Sequence, residues 1–111
     1  MNFLERLIAH FTGGAESRNW SVSFGERGRD GYVYYSEFVV RVMSLYWEFG
    51  GDDIVAIISY GTVKEWKKNY PWAVERRAEI LGRIAGEVIR LRAPGCRAEI
   101  NENDNCIYIR K

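Results

Sequence analysis

The chain has one histidine, two cysteines, two prolines and no apolar run longer than five residues. Each scarcity closes a class of function. Two cysteines, Cys96 and Cys106, are too few for a disulfide framework in a chain of 111 residues. With His10 as the sole histidine, the clustered set of four ligands that zinc takes is missing, and no cofactor is expected. The run Ile54-Val55-Ala56-Ile57-Ile58 is far short of the roughly 18 residues that span a bilayer, so no membrane partner is expected. Sixteen basic and fifteen acidic residues leave a formal charge of +1, which gives no global field toward nucleic acid or an anionic surface. Glu5 and Arg6 interrupt the N-terminal apolar stretch where an export signal needs continuity. The expectation is a cytoplasmic protein with free thiols.

Large side chains, by contrast, are plentiful. Aromatics are 14% of the residues, with four Trp, and hydrophobics are 47%, enough to close one core without staples. Asn2 can cap a short helix in which Phe3, Leu4, Leu7, Ile8 and Phe11 recur at helical spacing, and Gly13-Gly14 stops it. Trp20, Val22 and Phe24 alternate with polar residues as a half-buried strand does. Gly25 to Gly31 reads as a turn. Tyr32 to Phe49 reads as one or two strands, bent near Ser36, and Gly50 to Asp53 turns the chain into a strand over Ile54 to Ser59.

Thr62 and Glu65 have capping-box spacing and open a short helix through Asn69. Tyr70, held out of helical geometry by Pro71, separates it from a long helix that has Pro71 in its first turn and ends near Arg92. Val74, Ala78, Leu81, Ile84, Ala85, Val88 and Leu91 share one face of that helix. Arg76, Arg83 and Arg90, interleaved with Glu79 and Glu87, are expected to form a solvated ladder on the other face. Residues 97–109 close the chain as a hairpin that turns near Asn103-Asp104, setting Cys106 opposite Asn101 and away from Cys96. The order predicts an α+β fold over residues 1–111. It has a mostly antiparallel sheet of five or six strands, a short N-terminal helix, and one long helix before a C-terminal hairpin.

Candidate sites are few. His10 falls on the polar side of the first helix with no partner for general-base work. Glu48, Asp52 and Asp53 gather at a turn, where a solvated tip is the better reading than a cation site. The two Gly-x-x-Gly spacings within Gly25–Gly31 sit between strands, whereas a nucleic-acid clamp of that spacing joins helices. Lys64, Lys67 and Lys68 share one helix face beside Trp66, Tyr70 and Trp72, a pattern that could meet phosphates and stack bases. The competing reading buries Trp66 and Tyr70 as anchors of the short helix.

The feature that decides the functional expectation lies in the sheet. Between Phe38 and Phe49 both alternating sets are mainly apolar, and Tyr46 and Trp47 point to opposite faces. A sheet of five or six strands is some 25 Å wide and one helix covers about 10 Å, so helices can cover one face and not both. The expected function is that of a non-enzymatic interaction module, self-associating as a homodimer or binding another protein through an apolar sheet face. Nucleic-acid or phosphate binding through the lysine–aromatic helix at 64–72 is the alternative.

Overall fold

A computed structural model describes residues 18–111. The expected N-terminal helix, and His10 with it, lie outside the described residues. The elements are β1 (Trp20–Arg27), β2 (Asp30–Glu37), β3 (Arg41–Phe49), β4 (Ile54–Ser59), α1 (Val63–Asn69), a 3-10 turn at Val74–Arg76, α2 (Arg77–Arg92), β5 (Arg97–Asn101) and β6 (Cys106–Arg110). The six strands form one sheet in the order β1-β2-β3-β4-β6-β5, and every neighbouring pair is antiparallel. This is the expected α+β architecture. In the last hairpin Asn101 stands opposite Cys106, as its turn position predicts.

Three local readings change. Gly25 to Gly31 is no loop: pairing runs on to Arg27 opposite Asp30, and the turn is only Gly28 and Arg29. Gly28 takes the left-handed φ of +75° that so short a hairpin requires. Gly31 is needed for space, because a Cβ there would stand 1.9 Å from the Gly25 carbonyl oxygen. Tyr32 to Phe49 is two strands, split by a turn at 38–40 rather than bent at Ser36. The long helix begins at Arg77, not at Pro71, because Ala73 N–H bonds to the Tyr70 carbonyl and Arg76 N–H to the Ala73 carbonyl, making tight turns first.

Strand pairing assigns the two faces. One carries Val22, Val33, Tyr35, Met43, Leu45, Ile58, Ile107 and Ile109, all buried, beneath α2 and α1. The helix side of this core is Ile80, Leu81, Ile84, Ala85 and Val88 of α2, with Trp66 of α1. The arc that α2 buries is rotated toward Ile80 and Glu87 from the one its spacing suggests; Ala78 is exposed and so is much of Leu91.

Ion pairs hold the helix in that orientation. Glu37, at the end of β2, is 1% exposed. Arg76 reaches it with two nitrogens at 2.9 and 2.6 Å, Arg83 with one at 3.2 Å, and the Tyr35 hydroxyl donates to it at 2.6 Å. Arg83 also donates to the Tyr35 oxygen at 2.8 Å and lies over the Trp20 ring. Farther along α2, buried Glu87 accepts from Arg18 and Arg90. The expected ladder is thus only partly solvated: Arg76 and Arg83 pair with exposed Glu79 as read and Arg90 stays exposed, but all three also hold a carboxylate, Glu37 or Glu87, that the fold buries. Arginine hydrogen bonds hold both carboxyls below their ordinary range, Arg76 for Glu37 and Arg90 for Glu87, the latter at about 2. Burial and the Glu37 hydrogen bond push the Tyr35 phenol up to about 12.

A carboxyl that titrates lower folded than unfolded lets the unfolded chain take up protons first as pH falls. The contribution of Glu37 and Glu87 is complete above their ordinary value of 4.5 and is lost as pH drops toward 2. Glu37→Gln keeps the size but removes the buried charge on which Arg76 and Arg83 converge, leaving them Glu79 on the surface, so it should cost on the order of 2 kcal/mol at neutral pH and flatten the acid loss. Urea unfolding at several pH values measures both effects. A cost under about 0.5 kcal/mol, the surface-substitution range, would mean that the cluster holds nothing.

Candidate functional site

The face turned away from α2 carries no helix among the described residues. From β1 to β5 it presents Ser21 and Ser23, then Tyr32, Tyr34 and Ser36, then Val42, Ser44 and Tyr46, then Ile57 and Ser59, then Cys106 and Tyr108, and lastly Glu99 and Asn101. Tyr32 is the hub of the aromatic part, with ring centroids 6.2 Å from both Tyr34 and Tyr46. Tyr46 donates to Asp30 at 3.0 Å and Tyr108 to Asp104 at 2.8 Å; each bond raises its phenol above the ordinary value. Serines fill the gaps between the rings, with Ser21 and Ser36 hydrogen-bonded at 2.9 Å. The surface is half-buried tyrosine on a polar floor, less aliphatic than the sequence pattern of residues 38–49 implies. The reason is register: Phe38 and Val40 fall in the turn, and only Val42, Ser44, Tyr46 and Glu48 of that set remain on the face.

Tyr46 and Trp47 do part to opposite faces. Trp47 pairs with Gly31 and Ile58 on the α2 side, where its indole lies against the Gly31 backbone with the ring N–H buried and unpartnered. Beside it, Phe24, Val33, Phe49, Ile58, Val88 and Ile109 line an apolar cavity of about 210 Å³. The bulge at Val55 adds both Val55 and Ala56 to its wall, and the Glu26–Arg92 ion pair, 2.5 Å, stands at its mouth. The Trp47 nitrogen has no exposed surface, so it cannot serve a molecule in that cavity.

The lysine–aromatic helix separates into two parts. Its cap forms as read: Thr62 Oγ1 accepts from Glu65 N–H and Glu65 Oε1 accepts from Thr62 N–H. Lys64, Lys67 and Lys68 are exposed and make no ion pair among the described residues. Trp66, in contrast, is 1% exposed, donates to the Tyr60 carbonyl at 2.5 Å and supports the guanidinium of buried Arg77. Its ring offers no face to a base. Tyr70 is half-buried and closes the edge of β3: its hydroxyl donates to the Ser44 carbonyl at 3.3 Å and accepts from Ser44 N–H at 3.4 Å.

The remaining polar groups do not converge. Asp53 turns to Arg110 at 3.3 Å, and Asp52 holds the turn at φ +55°. Among the described residues no three His, Cys, Asp or Glu side chains come together as a metal would need. Both cysteines are free thiols. No protein-family model, curated protein or solved structure matches the chain.

The sequence singled out Tyr46 but missed Tyr32, Tyr34 and Tyr108, which join it only through pairing across strands. The period-two spacing of Tyr32 and Tyr34 was the available signal, and it needed the register of β2 against β3 to become a surface. The split within α1 yields a measurable contrast. Trp66→Ala should cost about 3–5 kcal/mol as a core truncation. Lys64→Ala, Lys67→Ala and Lys68→Ala should each stay within about 0.5 kcal/mol. Chemical denaturation of the four variants decides, and comparable losses at Trp66 and the lysines would contradict the division.

Proposed function

We propose that this chain is a non-enzymatic protein-interaction module that meets its partner, most simply a second copy, through the open sheet face. The observation that carries the reading is the Tyr32–Tyr34–Tyr46 cluster, with Ile57 and Tyr108, on a face that α1 and α2 do not cover. Tyrosine gives a large, stiff contact that is apolar across the ring and polar at the tip, and serine adapts its hydrogen bonds around it; recognition surfaces favour that pair. A specific interface of standard size takes about 800 Å² from each partner, comparable to one face of this sheet. In a two-fold assembly the same tyrosines meet themselves, so one substitution acts twice.

The pair Tyr46→Glu and Trp47→Glu tests the reading, because neighbours in β3 serve opposite faces. Light scattering should show Tyr46→Glu shifted toward monomer with its circular dichroism retained, whereas Trp47→Glu should damage folding. A wild-type chain that is monomeric at high micromolar concentration would exclude self-association. A Tyr46→Glu variant that unfolds would mean that something already covers this face within the chain.

A further inference from the structure

The β2–β3 turn departs from the practice of the other hairpins in this sheet. A tight antiparallel turn needs residues in the left-handed region, where a Cβ is crowded and a β-branched side chain fares worst. The β1–β2 turn uses Gly28, the β3–β4 turn Asp52 and the β5–β6 turn Asn105, with φ between +54° and +75°. Those are the residue types that hold this conformation at low cost. The β2–β3 turn places Phe38 at φ +52° and Val39 at φ +69°. Burial does not offset the strain, for Phe38, Val39 and Val40 are 53%, 73% and 82% exposed, and Val42 beside them 51%. Strain kept in order to display apolar side chains is a mark of a contact site.

The apex does not stand alone. The Arg41 guanidinium lies 5.7 Å from the Phe38 ring and 6.0 Å from the Trp72 ring, joining the apex to the turn after α1. Half-buried Trp72 shares a cleft with Lys67 and Arg76. Lys67 in turn shares a face of α1 with Lys64 and Lys68, and none of these lysines has an acidic partner among the described residues. Glu75 is the acid in the same cleft. One end of the molecule thus unites an apolar apex, a surface tryptophan and an excess of cations.

We propose that this end rests on an anionic phospholipid surface, with Phe38, Val39 and Val40 entering below the headgroups while Arg41, Lys64, Lys67 and Lys68 meet the phosphates. The contact is separate from the sheet face. A bilayer fits better than a protein for three reasons. Three apolar side chains on a hairpin tip fall well short of the roughly 800 Å² per partner of a specific protein interface, whereas each apolar side chain adds to insertion in lipid. Lys64, Lys67 and Lys68, which have no acidic partner among the described residues, are drawn to anionic headgroups, and exposed Arg41, only 4.0 Å from Glu37 at its closest, adds to them. Tryptophan beside such a tip sits at the level where membranes collect it. The expectation of no membrane partner rested on spanning length and net charge. No helix among the described residues is long and apolar enough to cross, but a tip in one leaflet crosses nothing, and here the charge is gathered locally.

Co-sedimentation of the full chain with vesicles of phosphatidylcholine containing phosphatidylserine, and with phosphatidylcholine alone, tests this. The wild-type chain should follow the anionic vesicles, less so as salt rises. Phe38→Asn combined with Val39→Gly should lower the partition about tenfold or more, and should raise the melting temperature because Asn-Gly suits the turn. Lys64→Gln, Lys67→Gln and Lys68→Gln together should weaken binding and flatten its salt dependence. Absence of wild-type co-sedimentation at low salt would overturn the proposal, as would an apex variant that binds like wild type. An apex variant whose solution mass falls would overturn it too, by assigning the apex to contact between chains.

Discussion

Width is the constraint on which this structure turns. Six strands at about 4.8 Å make a sheet some 25 Å across, and a helix covers about 10 Å of it. The chain spends α1 and α2 on one face, and the side chains divide accordingly. Beneath the helices stand Val33, Met43, Leu45, Ile58, Ile107 and Ile109, residues with no polar atom in the side chain. On the far side stand tyrosines and serines, which tolerate both water and a partner. Alternation along each strand supplies this division at no added cost in chain length.

Buried charge then sets where the helix lies. Glu37 ties the start of α2 to the end of β2, Glu87 ties its middle to Arg18, and Arg92 ties its last turn to Glu26 of β1. At the opposite flank, buried Arg77 stacks on Tyr60 and Trp66 and bonds to Glu102, Gly61 and Asn105. Such pairs add little net stability over well-packed apolar residues, but a slip of the helix would strand several of them at once. Their value is in fixing one orientation over an otherwise uniform apolar sheet.

Much of the architecture was legible because it rests on local rules. The capping box at Thr62, the out-of-phase pattern of the last hairpin and the alternation from Trp20 to Phe24 each depend on neighbours within a few residues. Residues 25–31 misled because Gly, Glu and Arg mask two paired strand ends whose turn is only Gly28 and Arg29. The turn at 38–40 was hidden because Phe-Val-Val is strand chemistry in a position that prefers Asn-Gly. Glu37 was invisible as a core residue because its partners Arg76 and Arg83 lie about forty residues away. The tyrosine surface required strand order and register, which only long-range pairing decides.

Among the described residues, the open face, the strained apex and the lysines of α1 are left without partners, and they lie on two separable surfaces. The central claim is that the tyrosine face is a contact surface. Hydroxyl-radical footprinting read by mass spectrometry over a range of protein concentration tests it most directly. Labelling of Tyr32, Tyr34, Tyr46 and Tyr108 should fall together as concentration rises, while buried Tyr35 and Tyr60 stay unlabelled throughout. Labelling of the four that stays constant from low to high concentration would contradict self-association through this face, and strong labelling of Tyr35 would contradict the assignment of the faces themselves.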